Sequence, residues 1–274
     1  LQWGINDPAE LSWLDAPPTG AWSQAIELLT ALGALQKTDT SLVLTQHGKA
    51  MTTLPVHPRL AHLLVCGVKI REVKIACALA SILSDRDPFR RPEISYRLAI
   101  LDGQITCPPA NRGWLRRSQQ LAKQFEQQVI RLGKLQDDQS LPQDQLAGYL
   151  LSCAYPDRVA RRRHAGGFQL ANGRSANFDG HHLLGKEPWL AIAEVGGIAR
   201  SKGDTIRSAA PLNIRLFESL LSHLVDNQTI AEWDKKTKRF IGENRKVIGA
   251  LTLEKRKLDA VPLQAKADAL IQHI

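Results

Sequence analysis

From residue 19 to about residue 151 the apolar positions mostly recur at helical spacing; beyond Tyr155-Pro156 they gather into short runs separated by turn residues. Ala21, Ala25, Leu28, Leu29 and Leu32 share one face of a helix predicted over 19–32, with Gly33 placed to end it. Upstream, Asp7 can cap a short helix, Pro8 suits its first position and Glu10 can reach back, until Pro17-Pro18 break it. Residues 41–44 read as a short strand, and Thr45 starts a short helix through Met51. Further helices are predicted over 59–67, 70–83, 93–101, 112–132 and 143–151. Asp87-Pro88, Asp102-Gly103, Pro108-Pro109 and Leu141-Pro142 punctuate the gaps between them.

The later runs lie at 158–163, 167–170, 175–178, 189–195 and 205–209, with Asn172-Gly173 as a hairpin turn signal. Short strands at this density fit a small barrel of the OB type. A helix is predicted to return over 213–226, on the stripe Ile214, Phe217, Leu220, Leu221 and Leu224. Antiparallel strands over 229–233, 239–245 and 250–254 and a last helix over 263–273 complete the chain. The pattern predicts a multi-domain protein, mainly α with β. Its parts are a winged-helix-like unit over 1–57, a helical bundle over 58–153, an OB-like β-barrel over 154–211 and an α+β segment over 212–274.

Charge divides the chain more sharply than composition does. Among 274 residues, 36 are Lys or Arg and 27 are Asp or Glu, a net charge of +9. Residues 1–58 hold two lysines against five carboxylates, net −3, so the remainder carries +12. An acidic end suits packing on protein, and a basic remainder suits a polyanion. No run of eighteen apolar residues occurs, so no membrane span is expected. The chain starts at Leu1 without a signal peptide and reads as a piece of a longer polypeptide. Cys66, Cys77, Cys107 and Cys153 form no C-x-x-C pair, which argues against a disulfide framework or zinc site and favours a reducing, cytoplasmic compartment.

Catalytic patterns are incomplete. Gly180-His181-His182-Leu183-Leu184-Gly185-Lys186 comes near a phosphate-binding loop, but Glu187 stands where a Ser or Thr hydroxyl would hold magnesium. Pro188 then disfavours a helix start at Glu187. Gly173-Arg174-Ser175-Ala176-Asn177 lacks the final glycine of a nucleophile elbow. His62 and Cys66 stand four residues apart on a predicted helix, yet two ligands close no zinc site, so core packing is the expectation. Adjacent His181 and His182 point apart in an extended segment.

Three basic groups are candidates for nucleic-acid contact. Arg112, Arg116 and Arg117 lie on the longest helix, where Arg112 and Arg116 can line one strip. Arg158, Arg161, Arg162 and Arg163 enter the barrel, and alternation forbids burying all of them in one core. Asn172 and Arg174 flank the hairpin tip. Phe168 and Phe178 are placed to stack bases, although core packing suits both better. The tail carries Lys235, Lys236, Lys238 and Arg239, then Lys255, Arg256 and Lys257, a pattern that solvates a hairpin as readily as it binds RNA.

Several longer words stand in order along the chain. They include Leu1-Gln2-Trp3-Gly4, Trp13-Leu14-Asp15-Ala16-Pro17-Pro18, Thr45-Gln46-His47-Gly48-Lys49 and His57-Pro58-Arg59-Leu60-Ala61-His62. Leu83-Ser84-Asp85-Arg86-Asp87-Pro88, Ala154-Tyr155-Pro156-Asp157-Arg158-Val159-Ala160 and Leu170-Ala171-Asn172-Gly173-Arg174 follow, then Ala209-Ala210-Pro211-Leu212 and Glu232-Trp233-Asp234. This series resembles the region after the two motor domains of bacterial DEAH-box ATP-dependent RNA helicases, most closely one branch of that family. The resemblance implies a winged helix, a ratchet-like helical bundle, an OB-like domain and part of a C-terminal domain peculiar to that branch. In such helicases these parts sit against the motor pair and help form the single-strand channel. The motor is absent from this chain. The resemblance therefore implies no ATPase activity, no catalytic residue, and no cofactor or metal here, with ATP and magnesium held by the motor domains. The implied partners are single-stranded RNA or DNA, bound without regard to sequence, and the N-terminal motor domains of the same chain. A protein-interaction module and a freestanding winged-helix nucleic-acid-binding protein are the alternatives.

Overall fold

A computed structural model describes residues 12, 15, 17–38, 41–133, 140–164, 166–196, 203–234 and 239–258. The helix expected near Asp7, the final helix over 263–273, and Lys235, Lys236 and Lys238 lie outside the described residues. The chain divides into two compact units. The first runs to Pro156 and takes in Ala191–Glu194 and Arg207–Leu212; the second holds Asp157–Leu190, Val195–Ile206 and the residues from Asn213 onward.

The first unit begins with α1 (Thr19–Ala31), a hairpin of β1 (Leu35–Lys37) and β2 (Leu42–Leu44), and α2 (Gln46–Thr52). The hairpin pairs Leu35 with Leu44 and Lys37 with Leu42. Thr45 caps α2 by accepting from the Gly48 amide at 2.9 Å, and its hydroxyl donates to the Gly33 carbonyl at 2.7 Å. One side chain thus fixes both the start of α2 and the turn after α1.

Five helices follow: α3 (Pro58–Lys69), α4 (Val73–Ser84), α5 (Ile94–Leu101), α6 (Arg112–Val129) and α7 (Gln143–Ala154). His57 caps α3, and Pro58 occupies its first turn. α7 buries every residue from Leu146 to Ala154, which makes it the central helix of this bundle. Gly148 on α7 lies against the Pro211 carbonyl; a β-carbon there would stand 2.1 Å from that oxygen. Strand and helix backbones meet at this point without side chains between them.

The loop between α4 and α5 is organised by a buried ion pair. Arg97 is fully buried, and its Nε donates to Asp87 Oδ2 at 2.8 Å. A second guanidinium nitrogen reaches the same oxygen, and a third donates to the Glu93 carbonyl at 2.8 Å. The guanidinium also lies 5.6 Å from the Phe89 ring centroid. With the loop fixed, the Pro92 carbonyl accepts from the Ala209 amide at 2.8 Å, and Glu93 bridges Ala209 in parallel.

A closed barrel joins β3 (Val159–Arg162), β4 (Phe168–Leu170), β5 (Ser175–Asn177), β6 (Trp189–Gly196) and β7 (Asp204–Pro211) in the order β3-β4-β5-β7-β6. β5 and β7 run parallel, and β3-β4 and β4-β5 are antiparallel. The predicted Asn172-Gly173 turn links β4 to β5, with Gly173 at φ 84°, where glycine is favoured. The second unit also holds the sheet β10-β9-β8, built from β8 (Asp226–Asp234), β9 (Arg239–Ile248) and β10 (Leu251–Leu258).

One expected helix is not there. Residues 213–226 form two 3-10 turns, Ile214–Glu218 and Ser222–Leu224, and β8 begins at Asp226. Ser219 (φ −133°, ψ −106°) interrupts any helix between them. The apolar stripe is satisfied differently: Leu216, Phe217 and Leu221 are buried while Ile214 is 41% exposed. Tertiary packing overrides a weak helical period here.

Breaking the buried pair leaves an uncompensated charge. Asp87→Ala should cost about 3–5 kcal/mol in denaturant unfolding of the first unit. Lys74→Ala removes the exposed pair with Asp102 and should leave the midpoint unchanged within error.

Candidate functional site

α6 is amphipathic. Trp114, Ser118, Phe125 and Val129 are buried, whereas Arg112, Arg116, Gln120, Lys123 and Gln127 are exposed. Steps of three and four residues align these five on one strip, about 22 Å long at the helical rise. No described carboxylate pairs with Arg112, Arg116 or Lys123. Arg117 behaves differently. Its Nε and a terminal nitrogen donate to Asp85 Oδ2 at 2.9 and 2.8 Å. That guanidinium holds the Asp85 carboxyl below its ordinary range.

The barrel arginines divide the same way. In β3, Val159 and Ala160 are buried and Arg161 and Arg162 are exposed. Arg161 donates to the Thr252 carbonyl at 2.7 Å and lies 5.6 Å from the Trp189 ring centroid. It therefore ties β3 to β10. Arg158 is half-buried, 3.9 Å from Asp157. At the hairpin tip, Asn172 Oδ1 accepts from the Arg174 amide at 3.0 Å, and Arg174 pairs with Asp204 at 2.6 Å. Arg163 is exposed with no described carboxylate partner, and Arg162 is exposed with a 3.5 Å contact to the Gly185 carbonyl.

Of the residues named from sequence, Arg112, Arg116, Arg162 and Arg163 thus face solvent, the first two on α6 and the second two in the barrel unit. Arg117, Arg158, Arg161, Asn172 and Arg174 have partners within the chain. Asp85, Asp204 and Thr252 are distant in sequence from the arginines they engage, so spacing carried no sign of them. Gln120 and Lys123 join the α6 strip by helical geometry alone. Phe168 is buried, as expected of core; Phe178 is half-buried and stacks on His182 at 5.2 Å. The near-match to a phosphate loop holds a short 3-10 turn, Leu183–Lys186, in which His182 accepts from the Leu184 amide at 3.3 Å. On β10, Arg256 pairs with Glu254, and Glu254 also takes Lys246 at 3.2 Å, so part of the basic tail is neutralised.

The fold also assembles a cluster that spacing did not announce. Cys153 on α7 meets His62 and Cys66 on α3, and the His62 nitrogen and both sulfurs lie within 4.8 Å of one another. All three residues are buried, and Cys66 Sγ stands 3.5 Å from His62 Nε2. His62 Nδ1 is 2.6 Å from His47 Nε2. The Cys153 thiol holds that of Cys66 down by a hydrogen bond, while burial pushes Cys153 up. Burial likewise pushes the Tyr149 phenol up, beside both sulfurs. Cys77 is apart from the group, its thiol pushed up to about 12 by burial.

No family model matches the chain. It is 34% identical over 259 residues to the ATP-dependent RNA helicase HrpB of Escherichia coli K12, covering 94% of this chain and 29% of that protein. The crystal structure of E. coli DExH-box NTPase HrpB superposes with a TM-score of 0.74 at 30% identity, covering 98% of this chain and 30% of the other. A second structure, of the E. coli DEAH/RHA helicase HrpB, gives 0.73 at 29% identity. The chain is similar to a C-terminal region of a DEAH-box helicase. The branch of the family singled out from sequence was that of HrpB, and the comparisons agree. An HrpA homologue of Haemophilus influenzae is 32% identical over 94 residues, covering 33% of this chain and 7% of that protein. The chain spans less than a third of the length of the HrpB relatives it matches. No helix among the described residues is long and apolar enough to cross a membrane.

Two expectations separate bonded from solvent-facing arginines. Arg161→Ala should speed amide exchange in β10, whereas Arg162→Ala should leave it unchanged. A depressed folded-state pKa makes the Asp85–Arg117 contribution present above the ordinary 3.8 and lost as pH falls through the lower folded value. By NMR titration, Arg117→Ala should return Asp85 toward 3.8.

Proposed function

We propose that the chain is the accessory C-terminal region of an ATP-dependent RNA helicase, holding single-stranded RNA and coupling it to N-terminal motor domains of the same polypeptide. The observation that carries this reading is the near-complete match to about 30% of HrpB, combined with an exposed basic strip on α6. ATP and magnesium belong to the motor domains, and the fragment alone turns over no nucleotide. The protein is cytoplasmic.

The parts take the roles their topology supports. The helix–hairpin–helix from Thr19 to Thr52 belongs to a winged-helix domain assigned to residues 1–57, whose acidic balance suits a protein neighbour. Residues 58–153 are the ratchet-like bundle. The closed five-stranded barrel of residues 154–211 is an OB fold, an architecture that binds single strands. Residues 212–274 belong to the domain peculiar to HrpB. Arg112, Arg116 and Lys123 contact phosphates from α6, and Arg162 and Arg163 do so from the barrel unit. Contacts of this kind are blind to sequence and weaken with salt, as a motor that moves along any RNA requires.

Fluorescence anisotropy with a labelled oligoribonucleotide tests the reading. Affinity should fall steeply with salt, and Arg112→Ala/Arg116→Ala should lower the slope of log affinity against log salt by about 0.7 per contact. Arg174→Ala should have less effect, because Arg174 already pairs with Asp204. Salt-insensitive binding, no binding at low salt, or ATP turnover by the isolated chain would count against the proposal.

A further inference from the structure

We propose that His62, Cys66 and Cys153 form a structural zinc site that pins α3 to α7. The inference stands independently of the RNA-binding reading. Tetrahedral zinc with Zn–S about 2.3 Å and Zn–N about 2.0–2.1 Å requires a sulfur-to-nitrogen separation of about 3.5 Å and a sulfur-to-sulfur separation of about 3.8 Å. Cys66 Sγ and His62 Nε2 are 3.5 Å apart, and the Cys153 sulfur lies within 4.8 Å of both. The donor set is therefore gathered close to coordination spacing without a change of fold.

The surroundings suit the ion. In the tautomer whose Nδ1 proton is donated to His47 Nε2 at 2.6 Å, the His62 Nε2 lone pair faces the sulfurs. A hydrogen bond on the far ring nitrogen is how metal-binding histidines are usually oriented. Tyr149 lies one helical turn before Cys153 on α7 and is buried with it. Charge selects among soft cations. Binding releases one proton from each thiol to solvent, the two thiolates balance one dication, and the buried centre ends neutral. Copper(I) with the same ligands would leave a buried negative charge.

The experiment uses the purified 274-residue chain, kept reduced, exposed to zinc and freed of excess by gel filtration. The expected result is one zinc retained per chain, a raised melting temperature, and tetrahedral thiolate-to-cobalt absorption when cobalt replaces zinc. Cys153→Ala and Cys66→Ala should each cut retention at least tenfold, and Cys107→Ala should keep it. Should the cluster variants fail to fold, the cobalt spectrum of the unaltered chain decides: octahedral bands without thiolate charge transfer overturn the site. No retention by the folded chain, equal retention by a folded Cys153→Ala variant, or equal loss in a folded Cys107→Ala variant also overturns it.

Discussion

A charge that cannot reach water must be answered on the spot, and Arg97 answers it with Asp87. The guanidinium is fully buried, so each donor must find an acceptor within the protein. Asp87, the Glu93 carbonyl and the Phe89 carbonyl supply them, and the aromatic face of Phe89 covers the cation. In doing so they determine the path of the α4–α5 loop. That loop then offers the Pro92 carbonyl to Ala209 at the end of β7. A polar contact inside the bundle thereby sets where a strand more than a hundred residues later is received.

The arginines illustrate how one residue type serves opposite ends. Arg161 and Arg162 are neighbours in β3 and both are exposed. Arg161 is held by a backbone carbonyl and an indole ring and acts as a strut. Arg162 has a long contact to one carbonyl and keeps its donors for solvent. Exposure alone does not distinguish them; the partner does. The same division separates Arg117 from Arg116 on α6.

Periodicity located α3, α4, α6 and α7 because each buries residues whose spacing is local. Leu35-Gln36-Lys37 escaped notice as a strand, since three residues carry no alternation to recognise and their pairing with β2 is a tertiary fact. Residues 213–226 misled for the opposite reason: apolar residues stand at helical spacing, yet 3-10 turns bury Leu216, Phe217 and Leu221 and leave Ile214 exposed. At the candidate site, sequence identified which cations exist but not which carboxylates neutralise them. His62 and Cys66 were visible as a pair on one helix. Cys153, eighty-seven residues after Cys66, could join them only through the packing of α3 on α7.

The meeting of Gly148 and Pro211 has a different kind of consequence. In an ordinary core, a larger residue at one position can be offset by a smaller one beside it. Here the obstacle is a main-chain carbonyl, the same atom whichever amino acid occupies position 211. No exchange of neighbours can make room. Position 148 is therefore confined to a bare α-carbon by the path of the backbone, and its tolerance to mutation is set without reference to any other side chain.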